Sequence, residues 1–418
     1  MLLAGDGTRM RPLTYTDPKP LLKIAAKSIL QHNLEQLKHN GIDDIILITG
    51  YLHEHIKKSL ENLKGFNFQF LIQQEQLGTG HALLQARDLI KEENFMVVYG
   101  DDLYHRDDIK KCLANGLCVT AKEVDDPERF GVFLVENGIV KNLVEKPNNY
   151  ISNLANTGLY VLNKDIFSSL QNLKKTKRNE FELTDSILEL AKEHSIKCEI
   201  TNNWIPIGYP WDLLSANEMK IKKTENLIDA GSIVDKNVTI EGSVKIGKNT
   251  RIKNGAYIEG PVIIGENCVI GPNCYIRPNS VIGNGCRIGN AVEIKNTLIG
   301  DTTNIEHLSY IGDSVIGNNC NLGAGTIAAN LRHDNKTIRT TVKDEVIDTR
   351  RKKFGVVMGD YTKTGVNCSI YPGMMLGPFS WTSPGSIIKA NIAPLTLNGN
   401  KILDETKFDS SVSEKVRH

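Results

Sequence analysis

From residue 1 to about 225, short β-branched and aromatic runs alternate with stretches whose apolar positions recur at helical spacing. The runs include Ile45-Ile46-Leu47-Ile48, Phe68-Gln69-Phe70-Leu71-Ile72 and Phe95-Met96-Val97-Val98-Tyr99; amphipathic segments lie over 28–40 and 80–90. Strand and helix alternating in this way predict an α/β fold with a largely parallel sheet covered by helices, and ligands at the carboxyl ends of its strands. The segment 210–224, PWDLLSANEMKIKKT, has helical composition and predicts a connecting helix.

Beyond it the period changes to six. Ile240, Ile246, Ile252, Ile258, Ile264, Ile270, Ile276, Ile282, Ile288 and Ile294 recur without a slip, and the residue two before each is small. Self-similarity at a fixed short period specifies a hexapeptide β-helix, whose triangular coil needs a small residue at its tapered corner. The register then slips by one residue to Ile299, Ile305 and Ile311, and again to Ile316 and Leu322. Cys268, Cys274, Cys286, Cys320 and Cys368 occupy the small slot and read as core fillers. A polar, basic excursion over 330–354 interrupts the repeat, and an insertion of that length in a solenoid points to function. Positions beyond about 400 read as a charged tail.

Composition narrows the classes. A chain of 418 residues suggests two or three domains, and 40% hydrophobic residues is an ordinary globular value. Fifty Lys and Arg against 49 Asp and Glu leave no global charge to draw the chain to nucleic acid or to a membrane. There is no apolar run long enough to span a bilayer and no signal-type start, so a cytoplasmic protein is expected. Eight cysteines without a C-x-x-C pair argue against a disulfide scaffold, a zinc ribbon or a redox motif.

The opening LLAGDGTRMRPLT, followed by PKPLL, sets a Gly-rich turn directly after a strand. Ala4, Gly5 and Gly7 let backbone amides approach phosphate oxygens, while Arg9 and Lys19 supply charge for a triphosphate and its leaving pyrophosphate. Here the chain resembles the sugar-1-phosphate nucleotidylyltransferases. That family usually starts several residues upstream, so a short first strand is expected. QQEQLGTGHAL resembles the uridylyltransferase branch, which implies Gln73 as the reader of the uracil edge, Gly78 as room for the ring and Thr79 as a nucleoside contact. An amide suits that task because it donates and accepts at once. In YGDD, Asp101 matches the family's Mg²⁺ aspartate and Asp102 reads as a solvent or cap residue. Gly131 in ERFGV, Glu145 and Lys146 in VEKP, and Asn156 and Thr157 in ANTGLY match the sugar-phosphate pocket. Where many relatives carry a second metal aspartate, W-I-P-I-G has Pro206. Asp212 stands nearest, open to two readings: a substitute ligand, or an acid at a helix N-terminus.

In the second half, VEIKNTLIGDTTNIEHLSYIGDSVIGNNCNLGAGTIAANLRHDNKTI resembles, without a gap, the acetyltransferase half of the bifunctional glucosamine-1-phosphate acetyltransferase/N-acetylglucosamine-1-phosphate uridylyltransferases. The resemblance covers most of the chain. It implies Arg277, Lys295 and Lys336 on the sugar phosphate, Tyr310, Asn321 and Asn330 on the sugar, His307 as general base and Ala324 along the acetyl-coenzyme A thioester. Arg277 and Lys295 are one coil apart, which stacks two cations on one face, as an anion site requires. Arg350 to Lys353 read either as a coenzyme A phosphate site or as a solvated face, and Val366 stands where the family has a serine.

The resemblance thus implies an α/β Rossmann-like nucleotidyltransferase domain over 1–225, a left-handed parallel β-helix over 226–400 and a charged tail over 401–418. The implied activities are acetylation of an amino sugar phosphate and uridylyl transfer from UTP, with Mg²⁺, acetyl-coenzyme A as co-substrate and a homotrimer. Two rivals are a monofunctional glucose-1-phosphate uridylyl- or thymidylyltransferase with a structural β-helix, and a regulatory subunit without catalysis. His307 with its companions argues against the first, and intact Arg9, Lys19 and Asp101 against the second.

Overall fold

The computed structural model describes residues 1–401 apart from Asn148, Lys177, Arg178 and Gly399. The expected tail therefore lies, but for Lys401, outside the described residues. By their contacts the residues form two compact units: Met1–Asp6, Pro18–Leu21 and Ser28–Pro206 in one, Gly7–Asp17, Leu22–Lys27 and Ile207 onward in the other. The expected boundary at 225 falls inside the second unit because helix Pro210–Lys220 packs there. Trp211 meets Phe354 edge-on at 5.8 Å, and Asn217 accepts from Ala25 N–H and donates to the Asn279 carbonyl.

In the first unit Leu2–Leu3, Asp44–Thr49 and Asn67–Ile72 form a parallel sheet in that order, and Leu2 bridges Tyr99 of the next sheet. That sheet runs Asn94–Val98, Leu154–Asn163, Cys118–Glu123, Lys197–Ile200, Ile139–Glu145, Gly131–Glu136. It is mixed, so the expectation of a largely parallel sheet holds for only part of this unit. Leu154–Asn163 runs antiparallel to both neighbours, and 131–136 pairs with 139–145 as a hairpin. The hairpin turns at Asn137-Gly138, both at positive φ (51° and 76°), the Asn-Gly turn that matches strand twist. Ser28 caps helix Ile29–Lys38 by accepting from Gln31 N–H, and its apolar face, Leu30, Leu34 and Leu37, packs on Leu3, Leu47 and Val98.

In the second unit the six-residue period is the period of the strands. Three parallel sheets of eight, seven and eight strands stack coil on coil. Ile246, Ile264, Ile282, Ile299 and Ile316 form one inward column, and the residues two before them are buried with them. Coils of 18 residues shorten to 17 where the register slips. Many corners are made by Asn in the left-handed region, for example Asn249, Asn267, Asn273, Asn279, Asn319 and Asn367, since Asn enters that region at lower cost than most residues. All eight cysteines are buried free thiols, the expected five within the coil. The excursion after Asn330 folds as a hairpin, Arg339–Val342 on Glu345–Asp348, and rejoins the stack where Phe354 N–H donates to the Asn330 carbonyl.

Candidate functional site

In the first unit the strand Asn94–Val98 ends in the turn Tyr99-Gly100-Asp101-Asp102. Lys19, its side chain 8% exposed, donates to Asp101 Oδ2 at 2.6 Å and lies 3.8 Å from Asp102 Oδ1. Asp102 is neither a solvent nor a cap residue. Its Oδ2 accepts the Trp204 indole N–H at 3.1 Å, and its carbonyl accepts from Asn33 at 2.7 Å. Asp102 is therefore an anchor that holds Lys19 from behind, while Asp101, its side chain 44% exposed, faces outward. A buried ammonium needs such paired carboxylates to remain charged.

Asp101 suits a divalent cation bound by one carboxylate and substrate phosphates, the usual mode for Mg²⁺. Among the described residues no three His, Cys, Asp or Glu converge to hold a metal unaided. Asp212 belongs to the second unit, where its Oδ2 accepts from the backbone N–H groups of Gly208 and Tyr209, both at 2.8 Å, at the start of helix Pro210–Lys220. The substitute-ligand reading gives way to the capping one, because this oxygen satisfies two N–H groups that the helix leaves unpaired.

Of the sugar-pocket matches, Asn156 and Thr157 adjoin this turn, where Tyr99 N–H donates to the Gly158 carbonyl. A side chain on Gly131 would come within 2.6 Å of Glu145 Oε2, so its glycine makes room for that carboxylate. Lys146 follows at φ 46°, a strained position for a non-glycine residue, with its N–H on the Phe130 carbonyl. The strand Leu154–Asn163 shifts register between Asn156 and Tyr160, and the irregularity sets Asn156 to accept from Gly158 N–H and the Tyr160 hydroxyl. Thr157 differs: it is 1% exposed, bonded to the hydroxyl and carbonyl of Thr120, and belongs to the core. Tyr99 was not foreseen. Burial pushes its hydroxyl up to about 12, and its ring meets that of Tyr160 edge-on at 5.7 Å.

The three uracil-pocket matches are engaged within the protein. Gln73 is 4% exposed and directs its amide nitrogen at the Gly78 carbonyl and His81 Nδ1, at 3.1 and 2.9 Å. Gly78 sits at φ 99°, where an added Cβ would fall 2.7 Å from the Phe181 carbonyl; its glycine answers to backbone packing rather than to room for a ring. Thr79 Oγ1 accepts from Leu183 N–H at the start of helix Leu183–Glu193.

Of the Gly-rich loop, Ala4 is buried and Gly5 exposed in the first unit, while Gly7 and Arg9 belong to the second. Gly7, at φ 60°, starts a short 3₁₀ turn, and the Arg9 guanidinium lies 5.5 Å above the Tyr209 ring. The segment Gly7–Asp17 is tethered in its unit by the Thr16 hydroxyl on Asp360 Oδ2 at 2.9 Å. Asn318 donates to Asp360 through its backbone N–H at 2.7 Å and to Asp17 through its amide at 3.4 Å. Burial, then the nearby Asp17, raises the Asp360 carboxyl to about 6.

The β-helix stacks Arg277 on Lys295, as the 18-residue spacing requires: strand Tyr275–Ile276 pairs with Glu293–Lys295 in register, and Arg277 N–H donates to the Ile294 carbonyl. Each cation has a carboxylate partner that the sequence reading missed, Glu293 for Arg277 at 2.9 Å and Asp313 for Lys295 at 2.8 Å. Arg277 Nε is buried without a hydrogen-bond partner among the described residues, an orphan that an anion would satisfy. Tyr310 and Asn330 join this face, Asn330 donating to the Tyr310 hydroxyl at 3.0 Å. His307, exposed, ends the strand Asn304–His307 at the preceding corner; Gly325 N–H stacks on its carbonyl, and Ala324 adjoins that contact. Asn321 is exposed and stacks on Asn304. Lys336 is exposed on the excursion, away from the Arg277 and Lys295 ladder in sequence, and no contact within the chain joins it to them among the described residues. Arg351 does not face solvent as a free coenzyme A ligand: it donates to Glu218 at 2.6 Å and to Ser215 at 2.8 Å.

The nucleotidyl transferase family model matches residues 1–223, and the model of the GMPPB C-terminal domain matches 258–376. The chain is 41% identical to the bifunctional protein GlmU of Methanocaldococcus jannaschii, over 94% of this chain and 95% of that one. It is 43% identical to the protein of that name from Methanococcus maripaludis strain C7, over 94% of both. The bifunctional sugar-1-phosphate nucleotidylyltransferase/acetyltransferase of Sulfurisphaera tokodaii is 35% identical, over 94% of this chain and 97% of that one. With one site at the strand ends of an α/β unit and the other along a β-helix, the chain belongs to the family of bifunctional sugar-1-phosphate nucleotidylyltransferase/acetyltransferases.

Proposed function

We propose that the β-helix acetylates glucosamine-1-phosphate from acetyl-coenzyme A and that the front half joins N-acetylglucosamine-1-phosphate to UTP, releasing pyrophosphate and forming UDP-N-acetylglucosamine. The observation that carries the reading is the Arg277 and Lys295 ladder on a face that also bears Tyr310 and Asn330, with the buried Arg277 Nε left without a hydrogen-bond partner among the described residues. A structural β-helix has no need of it.

In acetylation the amine nitrogen attacks the thioester carbonyl carbon and the carbon–sulfur bond breaks. His307 takes the amine proton as general base and returns it to the leaving thiolate. Arg277 and Lys295 bind the phosphate and orient the amine. In uridylylation an oxygen of the sugar phosphate attacks the α-phosphorus of UTP and the bond to pyrophosphate breaks. Lys19 holds charge against the phosphates, and Asp101 would hold Mg²⁺, which neutralises crowded phosphate oxygens when bound. Glu145 and Asn156 suit the sugar hydroxyls.

A homotrimer fits the exposed His307 and its apolar neighbours Leu308 and Ile327, since a second chain would cover them and bring its own excursion, with Lys336, to the site. Light scattering tests this directly, and a stable 46.4 kDa species at micromolar concentration would refute it. For the activities, the protein is incubated with glucosamine-1-phosphate, acetyl-coenzyme A and UTP while free thiol and pyrophosphate are followed separately. Both should appear, pyrophosphate after thiol. Pyrophosphate from glucose-1-phosphate without any thiol release would favour the monofunctional rival.

A further inference from the structure

Lys295, Asn330 and Tyr310 are organised by one buried carboxylate. Asp313 is 2% exposed; its Oδ2 accepts from Lys295 Nζ at 2.8 Å and from Asn330 Nδ2 at 2.5 Å, and its Oδ1 accepts from Asn296 Nδ2 at 2.8 Å. Asn296 in turn donates to Glu218, which receives Arg351, so Asp313 is held from behind by helix Pro210–Lys220. Both Asp313 and Asn296 sit in the left-handed region, at φ 51° and 46°. These are ordinary corner positions of the coil, which Asn and Asp occupy at low cost, so the two side chains are placed by the repeat itself.

An ionised carboxylate only accepts hydrogen bonds. Facing Asp313, the Asn330 amide must therefore present its NH₂ end, and the second hydrogen of that nitrogen goes to the Tyr310 hydroxyl at 3.0 Å. With both donors engaged, Asn330 offers its carbonyl oxygen outward. Tyr310, which already accepts, offers its own O–H; burial raises its pKa, with the Asp313 charge adding to the shift, so the proton stays. Lys295 retains two ammonium hydrogens beyond the one on Asp313. The outward set is two donor groups, with three hydrogens between them, and one acceptor. Donors fit phosphate and hydroxyl oxygens, and a carbonyl fits the N–H of an amino sugar.

We infer that Asp313 is a positioning residue of the acetyltransferase site, fixing the donor and acceptor polarity with which Lys295, Asn330 and Tyr310 meet an amino sugar phosphate. This rests on the acetyltransferase reading, and wild-type thiol release with glucosamine-1-phosphate tests that reading first. Given such release, Asp313→Asn keeps the volume but removes the charge and lets the Asn330 amide turn over. The Michaelis constant for glucosamine-1-phosphate should rise about tenfold or more, with kcat within about threefold and the uridylyl activity unchanged. Asp313→Ser, which also lacks the charge, should behave alike. A wild-type Michaelis constant in either variant overturns the inference, as does a fall in kcat alone. Loss of both activities in both variants overturns it too, since Asp313 would then be required for folding rather than for positioning.

Discussion

The strand-end site of the first unit and the ladder site of the β-helix are built in opposite ways. In the β-helix the coil repeat places side chains in register, so an 18-residue spacing becomes the direct stacking of Arg277 on Lys295. In the first unit each polar residue arrives on a turn of its own, and several are already in use. Thr79 serves a helix N-terminus, Thr157 the core, and Gln73 a loop. A periodic scaffold lets spacing predict geometry, whereas a turn-built site has to be read from its hydrogen bonds.

The comparison breaks most readily at His307. His307→Ala should lower acetylation by about 10²- to 10⁴-fold and spare uridylylation, as loss of a general base does. An unchanged rate at saturating substrates and pH 7 would leave the β-helix a scaffold. The converse substitution, Asp101→Ala, should cost uridylylation about 10²- to 10³-fold by removing a group that serves the transferring phosphate, with thiol release untouched; a parallel loss of acetylation would show the two sites are not separable.

Asp360 sharpens the comparison through pH. Its carboxyl is raised to about 6 in the folded chain from the usual 3.8, so the folded state holds a proton that the unfolded state has released. Its contribution is complete below about pH 4 and is lost as pH rises to about 6, amounting to up to about 3 kcal/mol. Asp360→Asn should remove that fall and raise the melting temperature at pH 7.5; urea midpoints at pH 4.5 and 7.5 check it, and an undiminished pH slope in the variant would count against the assignment. Lys295→Ala should raise the Michaelis constant for the sugar phosphate about tenfold while changing kcat little, because it removes ground-state binding. The smallest effect is expected for Asp212→Asn, which weakens a helix cap by about 1 kcal/mol and leaves the Mg²⁺ dependence of uridylylation as it was. A changed metal requirement would reinstate Asp212 as a ligand.

The β-helix was legible because Ile and the small residue two before it report the same coil twice, and the slip after Ile294 marks where coils shorten to 17 residues. Lys19 and Asp101 stood out for another reason: the motifs P-K-P-L-L and Y-G-D-D that carry them resemble those of the sugar-1-phosphate nucleotidylyltransferases. What escaped the sequence were partners rather than ligands. Glu293, Asp313, Trp204 and Glu218 become visible only once the chain closes on itself, although Asp313 sat in plain view in YIGDSVIG. The antiparallel hairpin is signalled by Asn137-Gly138, a two-residue cue easily outweighed by the longer strand and helix alternation around it. Asp212 could not be decided from sequence because an acid three residues into a helix and a metal ligand share the same residue type.

The uninterrupted column of isoleucines makes the β-helix behave as a one-dimensional lattice. Within the stack each coil pairs with the coil above and the coil below, so its stability is largely a sum of neighbour terms, with helix Pro210–Lys220 and the segment Gly7–Asp17 bracing particular coils from outside. The first strands, Leu227–Ile228 and Ile233–Val234, have a partner on one side only, and Leu227 and Ile233 are 54% and 58% exposed. Opening should therefore begin at this end and run inward like a zipper, with amides near residue 230 exchanging in deuterated solvent well before those near 290. The coils that carry Arg277, Lys295 and Tyr310 lie inside the stack, where a coil can leave only after its neighbour has gone.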